Sequence, residues 1–389
     1  MRNPLNSYIE AIPPSGIRKF FDLVAEMNDP EVISLGVGEP DFDTPWHIRK
    51  EGIDALTKGK TFYTANAGLM ELRKEISLFM ERKYSLSYEP ASEILVTVGG
   101  SEAIDACFRA MLDRGDEIII PEPCFVSYKP CAIMAGAVPV IVDLKPENEF
   151  RLQPEELEAA ITDRTKMVFL SYPNNPTGAI MEKEDLEKIA EVVIKHDLFV
   201  ISDEIYAELT YGDRSFISIA SLPGMRERTV VVNGFSKAFA MTGWRLGYAA
   251  GPAVIMKQMM KVHQFAIMCS PTLSQYAAVS ALRYGEDDIR MMRDEYDRRR
   301  RFLLNRFEKM GIPCFEAKGA FYLFPCISKF GMTSNEFAEA ILKEQKLAVV
   351  PGSAFGSSGE GFLRISYAYS LKDLEKATER IRRFISSRQ

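Results

Sequence analysis

Histidine and paired cysteine are scarce in this chain of 389 residues: there are three histidines, and the six cysteines, at positions 107, 124, 131, 269, 314 and 326, form no Cys-x-x-Cys pair. That pattern offers neither the ligand spacing of a zinc site nor a disulfide framework, so the thiols read as packing residues in a reducing compartment. An excess of one charge is missing too. Against 48 lysines and arginines stand 54 aspartates and glutamates, a formal net charge of −6, and no basic tract is present that would follow a nucleic-acid backbone. The densest basic cluster, Arg298 to Arg301, follows Arg293, Asp294 and Glu295 in helical spacing and reads as a solvated helix face. No apolar stretch approaches the roughly 20 residues that span a bilayer, and the opening MRNPLNSYIEAIPPSGIRKF holds no apolar leader core. A cytoplasmic protein without nucleic-acid or membrane partners is expected.

What is present is an ordinary globular composition, 47% hydrophobic and 26% charged, which suffices to bury a large core. A single core tends to stop growing at roughly 250–300 residues, so two domains are expected. From about residue 94, short apolar runs (EILVTV, EIIIP, VPVIVDL, KMVFLSY, LFVISDE, TVVVNGF) alternate with helical segments such as SEAIDACFRAML and the stretch from Glu182 to His196. Apolar strands joined by helical crossovers indicate a mostly parallel sheet covered on both faces, the α/β class. After about residue 270 a long helical stretch runs through Lys309, followed by strand-like GAFYLFP, LAVVP and FLRISYA. The expected division is an amino-terminal arm over 1–45 that packs with the smaller domain, a large domain over 46–280, and a smaller α+β domain over 281–389.

Several residues interrupt these patterns in chemically pointed ways. Lys237, in Gly234-Phe-Ser-Lys-Ala-Phe-Ala-Met-Thr-Gly-Trp-Arg-Leu-Gly247, stands just past the apolar strand TVVVN. Strand carboxyl ends are where ligands gather in such sheets, and burial there lowers an amine's pKa toward the neutral form that can build a Schiff base. Thr97-Val-Gly-Gly-Ser-Glu-Ala103 joins a strand through glycines to a helix whose first amides are free to receive a phosphate, although glycine-to-helix turns are common. Asp203 ends an apolar strand in Leu198-Phe-Val-Ile-Ser-Asp-Glu-Ile-Tyr206, where a carboxylate needs a strong partner or serves as a cap. Pro173-Asn-Asn-Pro-Thr-Gly178 is turn-forming, and Arg364 breaks the apolar strand FLRISYA, which asks for an anion from a ligand or from an internal salt bridge.

Together these segments resemble the class I aminotransferases, fold-type I pyridoxal-phosphate enzymes, from about residue 30 to the carboxy-terminus. Gly319-Ala-Phe-Tyr322 and Val350-Pro-Gly352 also look like family segments. The resemblance implies pyridoxal 5′-phosphate on Lys237, which would also move the substrate Cα proton. It implies Asp203 on the ring nitrogen, with Tyr206 and Asn175 on the ring oxygen. Gly100, Ser101, Glu102, Ser236 and Arg245 are implied as phosphate contacts, and Phe125, in Pro123-Cys-Phe-Val-Ser-Tyr128, as the ring stacked on the cofactor. Arg364 is implied as a fork on the substrate α-carboxylate, joined by Asn175 and by Gly38 of Leu35-Gly-Val-Gly-Glu-Pro-Asp-Phe42. Tyr63 matches a tyrosine that reaches the neighbouring subunit's cofactor phosphate, which implies a homodimer with shared active sites.

The expected reaction is amino transfer from an L-amino acid of the aspartate or aromatic kind to a 2-oxo acid, with 2-oxoglutarate as acceptor. Side-chain recognition is expected to involve the arm around Ser15-Gly16-Ile17-Arg18. Two rivals remain at this stage: a C–S β-lyase using the same Schiff base, and a non-catalytic effector-binding domain of the same fold. The short segment before residue 30 has no room for a DNA-binding helix-turn-helix, which argues against the second.

Overall fold

The computed structural model describes residues 3–14, 16, 17, 24, 27 and 29–388. Its strands, in chain order, are β1 (Ile33–Ser34), β2 (Ile94–Thr97), β3 (Glu117–Glu122), β4 (Val138–Asp143), β5 (Thr165–Ser171), β6 (Phe199–Asp203), β7 (Thr229–Gly234), β8 (Gly247–Ala250), β9 (Tyr322–Leu323), β10 (Leu347–Ala348), β11 (Val350–Pro351) and β12 (Leu363–Ser366). The central sheet has the order β2-β8-β7-β6-β5-β3-β4. All its neighbours pair in parallel except those of β8, which is antiparallel to both β2 and β7. The sheet is mostly parallel and lies between helices, as the alternation of strands and helices in the sequence predicts.

Alternation along each strand shows why both faces are covered. Ile118 and Ile120 belong to one apolar cluster, together with Phe169, Ile201 and Val232, and this face packs against Ala103 and Cys107 of the helix Gly99–Met111 and Met259 of the helix Ala253–Ala266. Ile119 points the other way, joining Val168, Leu170 and Val200 under Leu186, Ile189 and Val193 of the helix Lys183–Lys195. A sheet buried on both sides must be apolar at successive positions, as the sequence runs are. Replacing a fully buried ring such as Phe169 by alanine is expected to cost about 3–5 kcal/mol.

Beyond the central sheet, β11-β12-β9 form an antiparallel sheet and β1 pairs in parallel with β10, so Ile33 and Ser34 lie beside Leu347 and Ala348. Their core is shared with Leu303 and Phe307 of the helix Glu286–Lys309, Phe337 and Ile341 of the helix Ser334–Gln345, and Leu374 and Phe384 of the helix Leu371–Ser386. The long helical stretch expected here is two helices, Thr272–Tyr284 and Glu286–Lys309, divided at Gly285, a poor helix former. Of the arginine cluster, Arg298 and Arg301 are exposed on the expected solvated face, and the other two depart from it. Arg299 and Arg300 are buried and paired, Arg299 with Asp41 and Glu295 and Arg300 with Asp297 and Glu316. No helix among the described residues is long and apolar enough to cross a membrane.

Candidate active site

Because β2, β5, β6 and β7 run parallel, their carboxyl ends meet at one edge of the sheet, and antiparallel β8 begins at that same edge. Residues just past the four ends and just before β8 are therefore neighbours: Gly100 and Ser101 after β2, Asn175 after β5, Asp203 at the end of β6, Ser236 and Lys237 after β7, and Arg245 before β8. They line one cavity of about 510 Å³, which Gly38, Tyr206, Phe125, Tyr322 and Arg364 complete. Eleven of the thirteen residues singled out in the sequence thus come together.

Lys237 faces the cavity from a half-buried position and donates to the Gly38 carbonyl at 2.6 Å. Enclosure by protein lowers its pKa to about 8, helped by the positive charge of Arg364 and opposed by Glu39. Asp203 is buried, accepting from the Tyr128 hydroxyl at 2.7 Å and from the Ile205 amide at 3.3 Å. Burial raises its pKa to about 6, and the Tyr128 hydrogen bond acts in the opposite sense. Tyr128 in turn lies 3.0 Å from the Ser171 hydroxyl at the end of β5, which fixes its direction.

Arg364 is 2% exposed, yet among the described residues no carboxylate pairs with it. Its Nη1 donates to Asn175 Oδ1 at 3.0 Å, its Nη2 to the Gly36 carbonyl, and its Nε has no partner among the described residues. The guanidinium lies 4.6 Å from the centre of the Tyr322 ring and 4.8 Å from that of Phe355. A buried cation left without a counter-charge is costly, and the nearest remedy is an anionic ligand in the cavity. Tyr206 and Tyr322 share a hydrogen bond at 2.8 Å across the same wall.

At the other end, Gly99 adopts φ +77, and a Cβ there would sit 2.9 Å from the Arg245 guanidinium, so glycine allows the turn and the arginine to approach. Arg245 donates to the Thr242 carbonyl at 3.1 Å and pairs with no carboxylate among the described residues. Free helix amides, the hydroxyls of Ser101 and Ser236 and this guanidinium make an anion-accepting end.

Two of the residues singled out are placed elsewhere. The Glu102 side chain does not line the cavity: its carboxylate accepts from the Val98 amide and meets His263, which leaves its backbone amide, in the first turn of the helix Gly99–Met111, as the group the phosphate reading concerns. Tyr63 is 80% exposed on this chain and lines no part of its own cavity. Of the arm, Ile17 reaches the cavity, while Ser15 and Arg18 lie outside the described residues. Sequence reading missed Tyr128 and Tyr322 as site residues. The only signal for them was adjacency, Tyr128 three positions after Phe125 and Tyr322 in the segment Gly319–Tyr322.

A profile of the aminotransferase class I and II family matches residues 30–381. The chain is 48% identical to an aspartate aminotransferase of Pyrococcus abyssi over 387 residues, covering 99% of each, and 44% identical to aromatic-amino-acid aminotransferase 2 of Thermococcus litoralis with the same coverage. A solved structure of aspartate aminotransferase from Thermus thermophilus with maleate superposes with a TM-score of 0.93 at 39% identity, covering 98% of this chain and all of that one.

Proposed function

The chain belongs to the class I and II aminotransferases, a transaminase that moves an amino group between an amino acid and a 2-oxo acid, and from that premise we propose how its site works. The reading is pyridoxal 5′-phosphate held through Lys237, an L-amino acid of the aspartate or aromatic type as donor, and 2-oxoglutarate as acceptor. The donor classes are those named for the relatives from Pyrococcus abyssi and Thermococcus litoralis.

Lys237 carries this reading: a buried-edge amine with its pKa lowered to about 8 shares one cavity with the buried acid Asp203 and the unbalanced cation Arg364. The cofactor's groups fit what that cavity offers. Its phosphate suits the glycine turn, the two hydroxyls and Arg245, and its ring nitrogen suits Asp203, which has no cation as a hydrogen-bond partner among the described residues. Phe125 is at hand as a ring face, set edge-on to Tyr128 with centroids 5.8 Å apart.

When bound, the cofactor supplies an electron sink for the pair left as the substrate Cα loses its proton. The neutral Lys237 amine would hold the cofactor and, when free of it, would take the substrate Cα proton and pass it on to the cofactor. Asp203, ionised, accepts the hydrogen bond that keeps the ring nitrogen protonated, and Tyr128 holds that carboxylate in place. Tyr206 and Asn175 would donate to the ring oxygen. Arg364 clamps the substrate α-carboxylate, with Asn175 on one nitrogen of its fork and Gly38 beside it, so that Cα is presented to Lys237. The exposed Tyr63 is assigned to the neighbouring subunit's phosphate, which makes the working form a homodimer.

A panel of amino donors with 2-oxoglutarate, run beside Lys237→Ala, tests the assignment. Donor alone is expected to consume the cofactor's visible band in the wild type without release of pyruvate and ammonia. Full transamination by Lys237→Ala would refute the central role given to this lysine.

A further inference from the structure

Glu102 presents a difficulty for the site as read. It stands in the first turn of the helix Gly99–Met111, where a carboxylate is normally welcome near the helix's positive end. Here the same amides are to receive a phosphate dianion, and a free carboxylate would compete for them or repel the ligand.

The structure shows what holds it off. One Glu102 oxygen lies 2.5 Å from the Val98 amide and the other 2.5 Å from Nδ1 of His263. His263 comes from the helix Ala253–Ala266, is 0% exposed, and its Nε2 has no partner among the described residues. A fully buried imidazole with an unsatisfied nitrogen is a costly way to fill space that leucine or methionine would fill more cheaply. Among the described residues its one side-chain polar contact is with the residue that braces the turn Val98–Ser101, and both Glu102 oxygens are thereby engaged.

We propose that His263 is a positioning residue for the cofactor phosphate: through Glu102 it fixes the Val98–Ser101 turn, whose amides beyond Val98 receive that phosphate. The inference rests on the phosphate end assigned above. It requires His263 to act on phosphate affinity selectively, with no effect on recognition of the pyridine ring.

The test uses the full-length chain freed of cofactor, with pyridoxal 5′-phosphate, pyridoxal and inorganic phosphate as probes. Wild type is expected to bind pyridoxal 5′-phosphate far more tightly than pyridoxal; equal affinities would remove the phosphate end itself and this inference with it. In His263→Leu, affinity for pyridoxal 5′-phosphate is expected to fall roughly five- to tenfold, the usual worth of a lost buried hydrogen bond. Inorganic phosphate should compete correspondingly less well, while pyridoxal affinity stays within about twofold. His263→Gln, which can still donate to Glu102, should recover most of the loss. Glu102→Leu should show the same selective loss, and the double variant should be no weaker than the weaker single, because both substitutions break one linkage. If His263→Leu does not fold, Glu102→Leu and His263→Gln carry the test unaided. Parallel weakening of pyridoxal and its phosphate, additive single effects, or no recovery in His263→Gln would each overturn the proposal.

Discussion

The Tyr128 hydroxyl donates to the Asp203 carboxylate at 2.7 Å with both groups buried, so the acid that faces the cavity is oriented by a residue from a different crossover. Burial raises the Asp203 pKa to about 6, and the tyrosine restrains that rise. Tyr128→Phe removes the restraint. Its Asp203 should protonate at higher pH, so the acid limb of the kcat profile is expected to move up in pH. At neutral pH kcat should fall roughly tenfold, the loss of one hydrogen bond to a charged group. A Tyr128→Phe enzyme with an unmoved acid limb would show that the hydroxyl only fills space.

Lys237 must be neutral to attack a carbonyl carbon. With its pKa lowered to about 8 by burial first and by Arg364 next, the rate at which the cofactor-free chain takes up pyridoxal 5′-phosphate should rise with pH to a midpoint near 8. Arg364→Leu removes a neighbouring positive charge and should move that midpoint up. Glu39→Gln removes a charge that favours the protonated amine and should move it down. Stopped-flow absorbance across pH reads all three. Shifts of the opposite sign would mean that the charges around the amine are not those described.

Much of this was legible in the sequence because it rests on local marks. Six apolar runs gave six strands of the central sheet, and Lys237, Asp203 and Asn175 stand just at or past their ends. The seventh strand, β8, is Gly-Tyr-Ala-Ala, too short and too small in its side chains to register as an apolar run, yet it is the strand that delivers Arg245 to the shared edge. Arg299 looked solvated because its partner Asp41 lies 258 residues away in the chain. The same limit applies to Glu102, whose direction is decided by His263 across 161 residues. Tyr128 and Tyr322 sit among apolar neighbours, and their hydroxyls acquire meaning only when the fold aims them at Asp203 and Tyr206.

Arg364 holds Asn175 and the Gly36 carbonyl with its two terminal nitrogens, leaving a planar fork that suits a carboxylate in two-point contact. Lysine keeps the charge and loses the fork. Arg364→Lys is expected to lower kcat/KM for the amino donor roughly 10- to 100-fold, mostly through KM, with affinity for pyridoxal 5′-phosphate unchanged. Steady-state kinetics beside cofactor titration separates the two. A variant that lost cofactor rather than substrate affinity would reassign Arg364 to the cofactor.

Glu204, next in sequence to Asp203, is 0% exposed; its Oε1 accepts from the Ser202 hydroxyl at 2.9 Å and from Ser218, and its Oε2 has no partner among the described residues. Burial raises its pKa to about 8, above the usual carboxyl range, so the folded chain keeps a proton that the unfolded chain gives up near pH 4.5. A raised folded-state pKa means that the stabilisation is fully present below the unfolded value and is lost as pH rises through about 8. Asp203, raised to about 6, contributes in the same sense but only below that value. Between pH 6 and 8 the decline therefore belongs to Glu204, and the cofactor-free wild type should lose on the order of 2 kcal/mol of unfolding free energy over that window. Glu204→Gln has no proton to lose and should lack this decline. Urea denaturation at pH 6, 7 and 8 compares the two chains, and equal slopes would mean that Glu204 is ionised in the folded protein throughout.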